Sequence, residues 1–363
     1  MRLFIKLLAG GLVAGLAAVA FMLYYQYRLF EESSVQIPSG ETTVFEVKPG
    51  SNIRQVARQL DEAGILPRNP FIDADLLLVA QARLTETATR IKAGEYELEA
   101  GMKPLDILER FVGGKTLQYQ LGIVEGRTFK ELVQSVRSNP SLVQTLTDAD
   151  YQNLLPKLGG SSGMAAEGWF FPDTYNFPRG TSDLDVLKRS YQTMQDYLLK
   201  AWDGREPHPL IKTPYEALIL ASIVEKETGM PDERPMIARV FLTRLEKGMM
   251  LQTDPTVIYG LGDAYDGNIR KKDLQTDTPW NTYTRTGLPP TPIATPSKAA
   301  IDAVLHPAAT PYLYFVATGT GDGRHYFSES YDEHRKAVNQ YLQNDKANQA
   351  SSASGAVTQT GSN

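Results

Sequence analysis

One uncharged apolar stretch near the N-terminus constrains this chain more than any other feature. Residues 7–27 carry no charged side chain and consist almost entirely of Leu, Ala, Gly, Val, Phe, Met and Tyr. Their number suits one crossing of a bilayer, which takes about 20 apolar residues in a helix. We therefore predict a transmembrane helix over residues 7–27, preceded by a short tail of residues 1–6.

The residues flanking this stretch predict its orientation. Arg2 and Lys6 precede it, and positive charges in a short tail favour the cytoplasmic side. Three tyrosines form an aromatic belt where the helix would leave the lipid: Tyr24, Tyr25 and Tyr27. A cleaved signal peptide is the alternative, although the run is long and residues 21–27 offer no small-x-small cleavage site. We expect a single-pass protein of a bacterial inner membrane, with everything after Arg28 in the periplasm.

The composition leaves carboxylates as the main chemical groups. A net charge of −5 without a basic excess argues against nucleic acid as a partner. The absence of cysteine excludes thiol catalysis, cysteine zinc sites and disulfides. The four histidines form no His-Glu-x-x-His pair, and the chain has no Gly-x-Ser-x-Gly elbow and no phosphate-binding glycine loop. We expect neither a metal nor a cofactor.

The remaining chain predicts an α+β fold in two parts. Residues 28–41 read as a polar linker that lifts the first domain off the bilayer, and residues 346–363, rich in Ser, Gln, Asn and Gly, as a disordered tail. Within the small α+β subdomain, residues 42–116, the segment VKPGSNIRQVARQL resembles the opening of a LysM module, which binds glycan. A domain that only spaces or packs is the alternative. Residues 117–345 predict a larger, mixed α+β domain.

A predicted helix over residues 214–229 carries two carboxylates at its C-terminal end. Thr213 is the expected N-cap, and Gly229 is expected to end the helix in the left-handed conformation. Glu225 and Glu227 lie where the helix dipole disfavours a carboxylate, which raises the pKa of such a group. Two residues apart, they lie about 200° from each other around the helix. Both could also be solvated residues of a helix end.

Neighbouring residues favour Glu225 as the acid in a cleft. Glu225 shares its face with small residues that would let a substrate approach: Ala221, Ser222 and Gly229. Glu227 lies nearer Leu220, Ile223 and Val224, on the side expected to meet the core. We accordingly expect Glu227→Gln to keep much more activity than Glu225→Gln.

Five segments together resemble one family: ALILASIVEKET, EGWFFPDTY, LQTDPTVIYG, NTYTRTGLPPTPIATP and HPAATPYLYFVA. They occur in order, and the likeness to the MltG (YceG-like) endolytic murein transglycosylases runs from about residue 45 to 342. EGWFFPDTY has Trp-Phe where the family often has Tyr-Leu, and IVEGRT departs from the commoner Ile-Pro-Glu-Gly-Trp form. Rings and polar groups alternating in EGWFFPDTY could line a carbohydrate groove or belong to the core.

The resemblance implies cleavage of the β-1,4 bond between N-acetylmuramic acid and N-acetylglucosamine inside nascent glycan strands. The muramic acid 6-hydroxyl replaces water, which leaves a 1,6-anhydro end and needs one catalytic carboxylate. The resemblance maps that role to Glu225, and implies association with peptidoglycan synthases and termination of strand elongation. By looser analogy, Gln252, Asn281 and Tyr283 would bind the sugar, whereas Asp254 and Asp173 would bind it or brace loops.

Two other functions remain open. The first is a membrane-tethered peptidoglycan-binding scaffold without catalysis. The second is a hydrolytic muramidase, in which Asp254 or Asp173 would be the second carboxylate that a conventional glycosidase uses.

Overall fold

The computed structural model describes residues 2–357 and confirms a mixed α+β fold. The chain divides into two compact units. The first unit ends at Tyr119 and takes in the short segment Asn176–Gly180, and the second unit holds the rest.

The first helix, α1 (Arg2–Glu32), contains the apolar stretch and continues beyond it. Its portion Lys6–Glu32 is long and apolar enough to cross a membrane, with a mean hydropathy of 2.1. The expectation of a spacer from residue 28 is wrong, because Phe30 and Val35 are buried in the core of the first unit. Burial of each such side chain is worth roughly 1.5–3 kcal/mol, which attaches the end of α1 to this unit.

The first unit is a two-stranded sheet with three further helices. Strand β1 (Thr42–Val47) pairs antiparallel with β2 (Gly94–Glu99). The helices are α2 (Ile53–Glu62), α3 (Ala74–Leu84) and α4 (Pro104–Gly113). Helix α2 has Asn52 as its N-cap and buries four apolar residues: Ile53, Val56, Ala57 and Leu60.

The second unit is mainly helical. The boundary between the units crosses two strands, β3 (Tyr119–Gly122) and β4 (Thr174–Phe177). The α-helices of the second unit are α5 (Phe129–Ser138), α6 (Asp148–Gln152), α7 (Leu155–Leu158), α8 (Asp183–Asp203), α9 (Pro214–Glu227), α10 (Arg234–Glu246), α11 (Asp254–Leu261), α12 (Lys271–Gln275), α13 (Lys298–Leu305) and α14 (Tyr331–Val357). Its other strands are β5 (Tyr314–Ala317) and β6 (His325–Ser328). Strands β3 and β4 form one two-stranded sheet, and β5 and β6 form an antiparallel hairpin.

Between residues 148 and 158 lie the two short helices α6 and α7, because the Thr147 side chain caps a helix that begins at residue 148 and Asn153 leaves helical geometry. One prediction about this unit, the disordered tail, is wrong for part of its length. Residues 346–357 belong to α14, although their composition predicted disorder. The last six residues of that predicted tail, 358–363, lie outside the described part of the chain.

Helix α9 is the centre of the second unit. Every residue from Ala217 to Val224 is buried, and α9 packs against α8, α10, α11 and α13. Thr213 caps it as predicted, in a reciprocal arrangement with Glu216. The helix ends at Glu227, earlier than predicted, because Thr228 is already extended with φ −144° and ψ 137°. The expected left-handed Gly229 is therefore wrong.

Candidate active site

The two carboxylates at the end of α9 lie on opposite sides of the helix. Oε2 of Glu225 accepts hydrogen bonds from the backbone N–H of Ser297 at 3.0 Å and from the Ser297 hydroxyl. Oε1 of Glu227 accepts a hydrogen bond from the Thr253 hydroxyl. The predicted separation of the two side chains is confirmed.

Two of the three small residues on the Glu225 side of α9 pack against protein, which leaves no room for a substrate beside them. Ala221 and Ser222 are fully buried. The Ser222 hydroxyl donates to the carbonyl of Ile219 at 2.7 Å and accepts from the N–H of Ile293 at 3.0 Å. The small side chains of Ala221 and Ser222 let α13 and the segment around Ile293 approach α9 closely. Glu225 thus lies beside Ser297, the N-cap of α13, where the helix dipole favours a negative charge.

A polar cavity of about 430 Å³ lies on the Glu227 side of α9. Phe241, Leu251 and Phe315 contribute apolar walls. The side chains that bring polar groups to the cavity come from α9, α10, the segment before α11 with its first residue, the segment after α12 and α14: Glu227, Arg244, Gln252, Thr253, Asp254, Tyr283 and His334. A cavity with several convergent polar groups and a carboxylate is the usual form of a small catalytic site.

The environment of Glu227 suits proton transfer. Burial raises the pKa of its carboxyl to about 7, and the negative charge of Asp254 acts in the same direction. The hydrogen bond from Thr253 and the positive charge of Arg244 lower this pKa, but less strongly than burial raises it. A carboxyl group with a pKa near the working pH can both give and accept a proton, as general acid–base catalysis requires.

A buried threonine cluster holds the partner of Glu227 in place. Thr253 directly precedes α11, and its N–H donates to the hydroxyl of Thr282 at 3.1 Å. That hydroxyl also lies 2.8 Å from the hydroxyl of Thr256. The Thr253 hydroxyl makes no capping bond to α11, which leaves it available for Glu227.

Arg244 fixes the chain segment that leads into the cavity. Its guanidinium is buried on α10 and donates to the carbonyls of Leu251 at 2.8 Å and of Met250 at 3.3 Å. It also donates to the carbonyl of Leu313, ahead of β5, at 2.8 Å. Because a planar guanidinium presents several donors in fixed directions, one side chain can bind three carbonyls together.

Three of the predicted substrate-binding residues meet at the cavity. Gln252, Asp254 and Tyr283 all line it, together with Glu227. The Tyr283 hydroxyl donates to Oδ1 of Asp254 at 2.6 Å, and burial raises the pKa of this tyrosine. Gln252 is exposed and has a left-handed backbone with φ 53°.

The other two predicted residues lie outside the cavity lining. Asn281 is 1% exposed, and its side-chain amide donates to the carbonyls of Asp273, Leu274 and Thr276. Its oxygen accepts from the N–H of Tyr283 at 2.8 Å. With these groups engaged, the Asn281 side chain holds the loop together, and the structure shows it bonded to backbone groups. Sugar binding by Asn281 stays a prediction.

Asp173 is exposed, and its carboxylate accepts from the N–H of Thr174 at 2.7 Å. Its backbone carbonyl accepts from the N–H of Ile123 at 2.9 Å. These contacts fit the bracing role that the sequence left open for this residue.

The aromatic segment before Asp173 belongs to the core. Trp169 is 8% exposed and stacks on Tyr215, with the ring centroids 5.7 Å apart. Phe170 is 1% exposed and stacks on Phe129 at 5.3 Å. Of the two interpretations of this segment, core packing holds for these rings.

The sequence-based predictions did not include two residues that line the cavity, Thr253 and Arg244, and they assigned a third, Glu227, to the core side of α9. Arg244 follows Phe241 by three residues and Val240 by four, so it falls on the apolar face of its helix. A lone arginine on such a face is a signal for a buried, hydrogen-bonded cation. No comparable pattern distinguished Thr253, because its partners are remote in the sequence.

Fold and cavity together define an α+β protein with a candidate membrane-spanning helix and a carboxyl group set for acid–base chemistry. The sequence pattern of the YceG-like family matches residues 45–340, and the chain belongs to this family.

Two named proteins and one solved structure are similar to this chain. The chain is 30% identical over 325 residues to a Bacillus subtilis (strain 168) protein named "Endolytic murein transglycosylase", covering 85% of the chain and 87% of that protein. A protein of the same name from Streptococcus pneumoniae (strain D39) is 27% identical over 355 residues, covering 89% of the chain and 62% of that longer protein. A crystal structure of a yceG-like protein from Listeria monocytogenes is 29% identical, with a TM-score of 0.49, and covers 82% of this chain and 99% of that one.

Proposed function

We propose that this protein is an endolytic murein transglycosylase that cleaves glycan strands of peptidoglycan between N-acetylmuramic acid and N-acetylglucosamine. The observation that carries the proposal is Glu227, a carboxyl group with a pKa of about 7 in a polar cavity. The relatives from B. subtilis and S. pneumoniae are named for this activity, which supports the proposal.

Glu227 would act first as acid and then as base. Its carboxyl proton passes to the glycosidic oxygen as the bond from that oxygen to C1 of the muramic acid breaks. The resulting carboxylate then accepts the proton of the muramic acid 6-hydroxyl, whose oxygen bonds to C1. Glu227 is protonated again at the end, and no water is consumed. The Thr253 hydroxyl stabilises the carboxylate between the two steps, since a hydrogen bond to a charged group is stronger than one between neutral groups.

This proposal assigns the acid to Glu227 instead of Glu225, which the family resemblance had indicated. Glu225 accepts two hydrogen bonds from Ser297 at the start of α13, a contact that suits a structural carboxylate. Gln252 and the pair Asp254–Tyr283 are the proposed substrate-binding groups, because they line the cavity that contains Glu227.

The matched variants Glu227→Gln and Glu225→Gln test this assignment. Purified glycan strands are digested with each full-length variant in detergent, and the products are weighed by mass spectrometry. We expect 1,6-anhydro ends from the native protein, a loss of activity on the order of 100- to 10,000-fold in Glu227→Gln and a much smaller loss in Glu225→Gln. Thermal unfolding of each variant separates a catalytic effect from misfolding.

The other outcomes distinguish the alternatives. A large loss in folded Glu225→Gln with Glu227→Gln still active would return the acid to Glu225. Reducing ends in place of anhydro ends would indicate a hydrolytic muramidase. Binding of strands without any cleavage by the native protein would indicate a scaffold.

We further propose that α1 anchors the protein in an inner membrane, with the two units in the periplasm. The length of the apolar helix and the positions of Arg2 and Lys6 in the sequence support this orientation. Glycan binding by the LysM-like residues 42–116 and association with peptidoglycan synthases, with strand termination, remain predictions. Synthase association is tested by co-purification from membranes.

A further inference from the structure

The end of α1 is built into the first unit. Gln26 is 6% exposed and Phe30 is 2% exposed, whereas Tyr24 and Tyr25 are exposed. From Gln26 onward the helix therefore turns one side into the unit, while Arg28 and Leu29 on its other side stay exposed. A linker that would hold this unit away from a membrane is absent between Tyr25 and the core.

The length of α1 sets the depth of Gln26 when the helix spans a bilayer, which rests on the anchoring proposed above. From Leu7 to Tyr25 the helix rises about 27 Å at 1.5 Å per residue. This nearly equals the hydrocarbon core of about 30 Å, beyond which an interfacial layer of about 5–8 Å follows on each side. Gln26 accordingly lies at the start of the outer interfacial layer.

A loop of the first unit is held at the level of Gln26. The side-chain amide of Asn69 donates to Oε1 of Gln26 at 3.0 Å and to its carbonyl at 3.4 Å. Oδ1 of Asn69 accepts from the N–H groups of Phe71 at 3.0 Å and Ile72 at 3.1 Å. The loop turns tightly around Asn69, so residues 69–72 stay beside the end of the apolar helix.

This loop presents one large apolar side chain to its surroundings. Ile72 packs against the core of the first unit, whereas Phe71 is 64% exposed. Because two residues span at most about 7 Å, the backbone of Phe71 stays within about 7 Å of Asn69, a distance close to the thickness of the interfacial layer. The charged residues on either side of the loop, Arg68 and Asp73, are both exposed and opposite in sign. Because their charges cancel, the loop attracts a surface through the apolar side chain of Phe71.

We propose that residues 69–72 form a second membrane contact, in which Phe71 enters the interfacial layer of the lipid bilayer. The contact fixes the first unit on the membrane surface next to α1. Aromatic side chains favour this layer, and opposite neighbouring charges make the contact independent of anionic lipid.

Single cysteines test the contact, because the native chain has none. Phe71→Cys, Val44→Cys and Met22→Cys of the full-length protein are each labelled with the same fluorophore and reconstituted in phosphatidylcholine vesicles. Nitroxide lipids that carry the spin label near the headgroup then quench each fluorophore by proximity. Val44 lies on β1 and is 52% exposed, so it controls for the affinity of the label itself for lipid. Met22 reports insertion of α1.

We expect at least twofold stronger quenching at position 71 than at position 44. Adding Asn69→Ala to the Phe71→Cys protein should move its quenching toward the position 44 value. Equal quenching at 71 and 44, with position 22 strongly quenched, would overturn the contact while leaving the anchor intact. Quenching at 22 no stronger than at 44 would overturn the anchor and the contact together. Glycan cleavage is measured separately, so its failure is distinct from either result.

Discussion

The hydroxyl of Thr253 donates a hydrogen bond to Oε1 of Glu227, which joins the last residue of α9 to the residue that precedes α11. The same threonine is tied through its N–H to the Thr282 hydroxyl, so its own position is fixed. The contact therefore orients the carboxyl group and stabilises its ionised form. Both effects are accessible to mutation.

Thr253→Val should lower glycan cleavage while keeping the shape of the side chain. Loss of a hydrogen bond to a charged group costs about 1.5–3 kcal/mol, or a rate loss on the order of 10- to 100-fold. Because this bond lowers the pKa of Glu227, its loss should also move the alkaline decline of activity to higher pH. Initial rates on purified glycan strands between pH 5 and 9 measure both. Thr253→Ser keeps the hydroxyl and should behave like the native protein, and a Val variant with an unchanged rate and profile would contradict a role for the bond.

Activity should decline as the pH rises through about 7. Glu227 must be protonated to act as an acid, and its pKa is about 7, so each further pH unit should lower the rate about tenfold. Asp254→Asn removes a negative charge that raises this pKa, and the decline should then begin at a lower pH. The measurement is the initial rate at low strand concentration against pH.

Tyr283→Phe is the control for this charge effect. It removes the hydrogen bond to Asp254 but keeps the carboxylate, so it should not shift the decline to lower pH. A profile unchanged by Asp254→Asn would show that another group controls the alkaline decline.

The left-handed backbone of Gln252 allows a glycine substitution that should lower activity with little effect on stability. Among residues 2–357, Gln252 and Glu86 are the two non-glycine residues with positive φ, at 53° and 56°. Glycine relieves a left-handed strain of about 1–2 kcal/mol but costs chain entropy of similar size. Gln252→Gly should thus change the free energy of unfolding by less than about 1 kcal/mol while it raises the KM for glycan strands.

Glu86→Gly provides the matched case in the first unit. Its backbone has the same conformation, so its stability should change as little, and its glycan cleavage should remain native. Equal losses of activity in the two variants would argue against substrate binding by Gln252.

The sequence predicted the elements that local rules determine. The apolar spacing of α9, its cap at Thr213 and the opposite directions of Glu225 and Glu227 follow from helix geometry alone. The choice between the two sides required knowledge of what packs against each side. Small residues at Ala221 and Ser222 admit a neighbouring segment as readily as a substrate, and in this fold they admit residue 293 and its neighbours.

The loop residues show the same limit. Gln252, Asp254 and Tyr283 line the same cavity, whereas the Asn281 amide donates to backbone carbonyls up to eight residues away, within its own loop. The sequence does not distinguish an asparagine whose amide is exposed from one whose amide is buried. Only the tertiary contacts tell whether the amide has donors left for a substrate.

A second buried carboxyl group, that of Glu167, predicts a pH dependence of stability. Glu167 is 5% exposed and accepts from the N–H of Phe129 at 2.8 Å and the hydroxyl of Tyr259 at 3.1 Å. Burial raises its pKa to about 7 from an ordinary value of 4.5, despite these hydrogen bonds. Between those pH values the folded chain holds a proton that the unfolded chain has lost. The contribution of Glu167 to stability therefore falls as the pH rises from about 4.5 to 7, by roughly 3 kcal/mol in total.

Glu167→Gln removes this dependence, because a glutamine has no proton to lose and its amide oxygen can still accept from Phe129. Unfolding of the detergent-solubilised chain by urea, followed by tryptophan fluorescence at pH 5 and pH 8, should show the native protein losing more stability than the variant.

Glu131→Gln is the control, because the pKa of Glu131 is shifted in the opposite direction. Burial raises the pKa of Glu131, but hydrogen bonds from Thr128 outweigh burial and lower it overall. The stability that Glu131 contributes is present above its ordinary pKa and is lost as the pH falls. Between pH 5 and pH 8, Glu131→Gln should therefore lose as much stability as the native protein or more. An equal loss in native protein and Glu167→Gln would show that Glu167 is already ionised in the fold at pH 5.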